Sequence, residues 1–206
     1  MEREQLLTDL TGRPPDPSQL EGLDRFVAWL ASEGLEAGLI GPGEADDLWN
    51  RHILDSAAFG HGWRRPPPAL YDLGSGGGLP GLVLAILWPE TRVTLLDRSG
   101  RRTRLLRRFV RILDLDNVVV IQTDAERTGF QADAMVMRAV FPPEKAIPFF
   151  AGHLTPGGKA VLALSRSGPP DGTRLVDLAR TAGLTARVHE VSILDPAAWL
   201  LIMEYS

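Results

Sequence analysis

Asp72-Leu73-Gly74-Ser75-Gly76-Gly77-Gly78-Leu79-Pro80-Gly81 follows an apolar run, Ala69 to Leu73, and leads into a helical pattern that starts near Leu79. This predicts the end of a first β-strand turning into a first helix. With side chains almost absent where the backbone turns, a ligand can approach the peptide N–H groups closely, and the following helix presents its positive end. Gly74, Ser75, Gly76, Gly78 and Leu79 are the candidate ligand contacts of a nucleotide-cofactor loop. A tight strand-to-helix connection that binds nothing would use the same residues, so the loop does not decide alone.

Arg92 to Asp97 is a second strand-like run, and its terminal carboxylate stands 23 residues beyond Gly74. In a parallel sheet wound this way the tip of the second strand lies beside the first loop. An ionised Asp has only acceptors, so Asp97, followed by Arg98, can take both hydroxyls of an adenosine ribose. Two features turn the cofactor away from a dinucleotide. Asp72 aims a carboxylate at the pocket, where a pyrophosphate would be repelled and an amine welcomed. His153-Leu154-Thr155-Pro156-Gly157-Gly158 leads into Lys159 to Leu164 where a fifth strand is due. Together these strand endings resemble the class I S-adenosylmethionine (SAM) methyltransferases. The ammonium of the cofactor's amino acid suits Asp72.

The chain has 206 residues, 44% of them apolar, enough for one domain with a sizeable core. It has no cysteine, which excludes disulfides and thiolate metal sites, and His52, His61, His153 and His189 show no ligand spacing, so no metal is expected. The charged N-terminus leads into no signal-like apolar core. The longest apolar stretch, Leu82 to Trp88, is too short to span a bilayer, and a cytoplasmic monomer that avoids membranes is expected.

The net charge of −4 argues against a general nucleic-acid binder, but the charge is unevenly spread. Arg98 to Arg111 holds seven arginines and no acid. Along this predicted helix Leu105, Phe109, Ile112 and Leu113 make an apolar face, and Arg101, Arg104, Arg108 and Arg111 share another. Such a stripe fits a solvated outer face or a phosphate backbone equally; it lacks the acid partners that usually accompany a solvated helix, and Arg's fork suits phosphate.

Ahead of the loop the chain reads as helical: Ser18 caps a helix with Glu21 three residues on, Ile40-Gly41-Pro42-Gly43 breaks it, and Glu44 to Phe59 resumes with Leu48, Ile53, Leu54 and Ala58 inward. Arg64-Arg65-Pro66-Pro67-Pro68 is an extended linker. The expected organisation is a helical cap over 1–66 and a sheet domain over 67–206, joined in one compact unit.

Arg51-His52-Ile53-Leu54-Asp55-Ser56, then the Asp-x-Gly-x-Gly loop with Leu79-Pro80-Gly81, Pro89-Glu90 and Thr94-Leu95-Leu96-Asp97, resembles one family over about residues 45 to 140. That family is the bacterial small-subunit rRNA guanine-N7 methyltransferases, also called glucose-inhibited division protein B. The resemblance implies a Rossmann-like α/β sheet, mostly parallel with its last strand antiparallel, and SAM as cofactor. It implies 16S rRNA, or the small ribosomal subunit, as partner. At the tip of the third strand, Val118 to Gln122, the family has an Ala-Glu pair against the adenine, which makes Asp124, Ala125 and Glu126 the candidate adenine contacts, although a loop with two solvated acids would read the same. Arg138-Ala139, ending the fourth strand, is similar to its Ser-Arg-Ala motif. Arg138 is thus the candidate catalytic residue and a cofactor contact, with Arg51, His52, Arg101, Arg102, Arg104, Arg108 and Arg166 as RNA contacts. The chain departs from the family at Gly38-Leu39-Ile40-Gly41, where Asn-Leu-Thr is usual, at Val140-Phe141-Pro142-Pro143, and at Leu164-Ser165-Arg166-Ser167-Gly168. A methyltransferase with another substrate and a non-catalytic SAM-binding paralogue remain alternatives.

Guanine N7 already carries a free lone pair, so methylation there needs no general base and depends on orientation in a dry pocket. Arg138 can hold guanine O6 or a phosphate, provided that it leaves N7 free. Phe141 would stack on the base or anchor the core. The remaining segments are a helix over 144–150, a fifth strand over 159–165, a helix over 171–182, and a closing antiparallel hairpin, Ala186 to Leu194 with Ala198 to Tyr205.

Overall fold

A computed structural model describes residues 3–127, 129–165 and 168–206, the side chains of Ala45 and Asp46 excepted; Arg166 lies outside the described residues. Among the described residues seven strands form one sheet: β1 (Ala69–Leu73), β2 (Arg92–Asp97), β3 (Val118–Gln122), β4 (Ala132–Met137), β5 (Leu154–Ala163), β6 (Leu184–Val191) and β7 (Ala198–Tyr205). Their spatial order is β3-β2-β1-β4-β5-β7-β6, with β7 antiparallel to both of its neighbours and the other pairings parallel. The strand order reverses beside β1, so the C-terminal ends of β1, β2 and β4 share the crevice where open α/β sheets bind ligands. β5 starts at Leu154, directly after α6 (Pro143–His153), rather than after the Pro156-Gly157-Gly158 turn. β6 likewise begins and ends earlier than its apolar pattern suggests.

The central strands are near-continuous apolar runs because helices cover both faces. One face carries α4 (Gly81–Leu87), α5 (Gly100–Ile112) and the N-terminal helices; the other carries α6 and α7 (Gly172–Thr181). No helix among the described residues is long and apolar enough to cross a membrane. In α5 the buried residues are Thr103, Leu106 and Phe109, whereas Ile112, expected inside, is 44% exposed. The helix is rotated so that Phe109 meets Phe26 and Trp29, with ring centroids 5.3 and 4.5 Å away.

Before β1 come α1 (Arg3–Thr11), α2 (Pro17–Trp29) continued by a π turn over Leu30–Gly34, and an irregular helical stretch: a 3-10 turn at Pro42–Asp47, a π turn at Trp49–Leu54, α3 (Asp55–Ala57) and a 3-10 turn at Ala58–Gly62. The cap of α2 is Asp16, not Ser18: its side chain accepts the Gln19 N–H, Gln19 returns the bond, and Pro17 takes the first helical position, where its missing N–H costs nothing. Leu48, Ile53, Leu54 and Ala58 are buried, as their spacing predicts. α2 also closes the ends of two other helices. Gln19 donates to Leu87 O at 3.1 Å and Arg25 to Ile112 O at 2.6 Å, the latter placing a cation at a helix C-terminus.

β3 is one edge strand of the sheet and β6 the other. Among the described residues, the connection from β3 to β4 contains one 3-10 turn, Ala125–Arg127, and Val119 and Ile121 stay 47% and 42% exposed. Arg107 of α5 donates through Nε and Nη2 to Val120 O, at 3.2 and 3.1 Å.

Candidate functional site

The loop after β1 spends five of its N–H groups within the protein. Those of Gly74 and Ser75 donate to Leu96 O at 2.8 and 2.9 Å, those of Gly78 and Leu79 to Ser75 O at 2.7 and 3.1 Å, and that of Gly76 to Asp97 Oδ2 at 2.9 Å. The sequence offered these donors to a ligand; the structure uses three of them to knit the loop to β2 and two to close the turn on Ser75. A phosphate cradle needs free N–H groups, so this turn suits a cofactor without a pyrophosphate. Gly74, Gly76 and Gly78 all adopt positive φ, which lets the chain fold back on itself so tightly.

Asp72 lies beneath this turn, fully buried. Its Oδ2 accepts the Gly81 N–H at the start of α4 (3.0 Å), while Oδ1 has no hydrogen-bond partner. A Cβ at Gly81 would stand 2.6 Å from Oδ2, so that approach requires glycine. Burial pushes the Asp72 carboxyl up to about 7, against the pull of the Gly81 N–H, Ser75 and the Arg138 charge. An orphaned buried carboxylate oxygen costs free energy unless a donor or cation meets it.

Asp97 is also buried, but both of its oxygens are engaged: Oδ2 by Gly76 N–H and Oδ1 by Ser99 N–H at 2.8 Å, with Arg102 Nη1 3.8 Å from Oδ2. A carboxylate has about four lone-pair sites, so Asp97 keeps acceptor capacity toward a ribose while being held rigidly. Beside it opens a cavity of about 310 Å³. Gly74, Asp97, Arg98, Asp124, Ala125 and Glu126 line it, so six of the expected cofactor contacts converge; Asp72, Ser75, Gly76, Gly78, Leu79 and Arg138 do not line it. Phe141 lines it too, packed against the core of the α6 face, with Lys145 Nζ 4.2 Å over its ring. Lys145 also pairs with Glu126 at 2.8 Å. Nothing in the local sequence marks Lys145, which reaches the cavity from the first turn of α6.

Register explains where Arg138 goes. Asp72 pairs with Val136, so residue 138, two further on, shares the face of Asp72, while Leu73, Met137 and Ala139 turn toward the cavity. Ala139 has φ +55, a strained conformation for a residue with a Cβ, at the point where the chain leaves β4. Arg138 therefore faces the N-terminal helices. Its Nη2 lies 3.4 Å from His52 Nδ1, and Asp55, Asp72 and Glu44 hold its charge against the burial that lowers its pKa. His52, expected at the RNA surface, is 6% exposed: the π turn points it inward to Arg138. Asp55 is three residues beyond His52 and Glu44 approaches from the 3-10 turn; neither was singled out in the sequence, although the helical i, i+3 spacing of His52 and Asp55 was a usable signal.

Arg51, Arg101, Arg104, Arg108 and Arg111 are exposed. The stripe has acid partners after all, from another element: Arg108 pairs with Glu33 at 3.0 Å, and Arg101, Arg104 and Arg108 share an open groove with Glu33 and Glu36. Arg102 points the other way, to Asp97 and the cavity.

The family model of GidB, rRNA small subunit methyltransferase G, matches residues 19–167. Ribosomal RNA small subunit methyltransferase G of Acidothermus cellulolyticus is 43% identical over 140 residues, covering 68% of this chain and 62% of that protein. Its namesake in Beutenbergia cavernae is 36% identical over 189 residues, covering 89% and 87%. The chain thus spans about three fifths of the length of the first relative and most of the second. Among solved structures, a SAM dependent methyltransferase from Aquifex aeolicus superposes with a TM-score of 0.60 at 16% identity, over 81% of this chain and all of that one. Aeropyrum pernix fibrillarin with bound S-adenosyl-L-methionine gives 0.55 at 20% identity, over 75% and 76%. The fold is the Rossmann-like methyltransferase sheet, and the chain belongs to the rRNA small subunit methyltransferase G (GidB) family.

Proposed function

We propose that the protein methylates N7 of a guanine in small-subunit (16S) rRNA, with S-adenosylmethionine as methyl donor. The observation that carries the reading is Asp72, a fully buried carboxylate with one orphaned oxygen at the end of β1, beneath a turn that has spent five of its N–H donors within the protein. These residues fit a cofactor with an ammonium and no phosphate. When bound, S-adenosylmethionine supplies an electrophilic methyl group on a sulfonium.

The chain's own residues bind, orient and exclude water. Asp72 receives the ammonium, Asp97 the ribose hydroxyls through its remaining lone pairs, and Asp124, Ala125 and Glu126 border the adenine beside Arg98. Gly74, Ser75, Gly76, Gly78 and Leu79 shape the floor. Arg138 can only donate, so it is suited to guanine O6 and leaves N7 free to attack; no base need take a proton, because N7 carries none. Ionised Asp72 is required for the ammonium, so cofactor affinity falls as pH drops below about 7. Arg51, Arg101, Arg104 and Arg108 meet phosphates, and the target guanine is unpaired or extruded, since one stacked in a duplex is out of reach.

The test is tritiated methyl transfer from S-adenosylmethionine to small-subunit rRNA, and to assembled subunits lacking the modification, with N7-methylguanosine identified after digestion. Incorporation at a single guanine is expected. No incorporation, alongside clear cofactor binding by calorimetry, would mean that the fold has kept its cofactor and lost its rRNA role.

A further inference from the structure

The N-terminal helices meet the sheet through a line of polar groups that methyl transfer does not by itself demand. Glu44 Oε2 accepts the Gly41 N–H at 2.6 Å and lies 3.6 Å from His52 Nε2; His52 Nδ1 lies 3.4 Å from Arg138 Nη2. A guanidinium carries only donors, so the imidazole nitrogen facing it acts as acceptor, and the ring proton belongs on Nε2, toward Glu44. Burial, reinforced by the charges of Arg138 and Arg51, lowers the His52 pKa to about 4, so this neutral tautomer holds throughout the neutral range.

We propose that His52 is a positioning residue for Arg138: its Nδ1 lone pair, on a ring held buried by the π turn, fixes the guanidinium at the end of β4 in the orientation that receives the target base. The choice of side chain follows from what surrounds it. Asp55, Asp72 and Glu44 already act on Arg138. A further carboxylate at position 52 would draw the guanidinium away from the crevice, and an apolar residue would leave one of its N–H groups unpaired. A neutral acceptor holds Arg138 without adding charge. The arrangement also gives His52 of the Arg-His-Ile-Leu-Asp-Ser stretch a task other than touching RNA.

The inference rests on the reading of Arg138 as the residue that meets guanine, so its test has two arms. In the first, His52→Leu, His52→Asn and His52→Gln are assayed for methyl transfer to small-subunit rRNA. Asn places an acceptor oxygen where Nδ1 stands; Gln reaches only to the Nε2 side. His52→Leu is expected to lower kcat by about 100-fold, with KM for RNA and cofactor affinity within about threefold, and His52→Asn to recover to within about tenfold of wild type, while Gln does not. In the second arm the guanidinium N–H resonances of Arg138, in protein labelled with nitrogen-15 arginine, are compared without any substrate. Slow exchange in wild type, fast exchange in the Leu and Gln variants and restored protection in the Asn variant support the proposal. Wild-type kcat and unchanged Arg138 resonances in His52→Leu overturn it. If that variant does not fold, the Asn and Gln variants decide, and equal behaviour of the two overturns it. If wild type transfers no methyl group to rRNA, the functional reading falls while the resonance arm still judges the positioning role.

Discussion

The crevice beneath the glycine turn and the arginine groove on α5 use the same chemical groups under opposite conditions. In the crevice, Asp72 is fully buried, and its carboxyl is displaced to about 7. In the groove, Arg108 and Glu33 form an ion pair at 3.0 Å, but their side chains are 59% and 34% exposed, and such a pair is worth at most about 1 kcal/mol. Proximity alone does not make a charge consequential. Loss of water does, and the comparison predicts that mutations in the crevice act on chemistry and stability whereas those in the groove act through salt-dependent RNA affinity.

The largest effect that the comparison allows is at Arg138. Arg138→Ala is expected to lower kcat/KM for rRNA methylation about 1,000-fold, measured by tritium incorporation, while cofactor affinity by calorimetry stays within about threefold. Unchanged activity would remove Arg138 from the reaction. Next comes Asp72→Asn. Without the charge, cofactor affinity is expected to fall about 100-fold (about 2.7 kcal/mol), whereas the cofactor-free protein at pH 8 gains roughly 2–4 kcal/mol in denaturant unfolding, because a buried charge no longer has to be desolvated. Lower stability in that variant would break the contrast drawn above.

A subtler effect appears with pH. The Asp72 pKa is raised from 3.8 to about 7, so its contribution favours the native state at low pH and is lost as pH rises through that interval. His52 and His61 are lowered from 6.5 to about 4, so theirs is present above 6.5 and lost as pH falls. The slopes oppose each other. Unfolding free energies from pH 6.5 to 4.5 are therefore expected to drop more steeply in Asp72→Asn than in wild type, by about 1.4 kcal/mol per pH unit. Smallest of all, Arg104→Gln is expected to weaken RNA binding only a few-fold and to reduce the slope of log K against log salt by about 1 in filter-binding assays, while Glu33→Gln strengthens binding slightly by releasing Arg108.

How much of this was legible in the sequence follows the same division between local and distant causes. The strands, the glycine turn and Asp97 could be read because apolar runs and a glycine-rich loop are contiguous signals. The cap of α2 was missed by two residues because Ser18 and Asp16 both fit a capping pattern, and only the Gln19 side chain decides between them. The π and 3-10 turns between 30 and 62 share nearly the period of an α-helix, so the apolar pattern found Ile53 and Leu54 but could not turn His52 inward. Ile112 was misplaced because Phe26 and Trp29, some 80 residues earlier, set the rotation of α5. Glu33, Glu44 and Lys145 belong to the sites through tertiary approach alone, and no spacing along the chain announces them.

One bond on the rim of the sheet bears on how the protein survives in a crowded solution. β3 offers an open row of backbone groups flanked by bare Val119 and Ile121, the combination that invites a foreign strand to add itself and seed a precipitate. Arg107 occupies the Val120 carbonyl with two donors and holds a positive charge over that row. Arg107 thus acts as a guard against templated aggregation, and a chain relieved of it would lose solubility before it lost its fold.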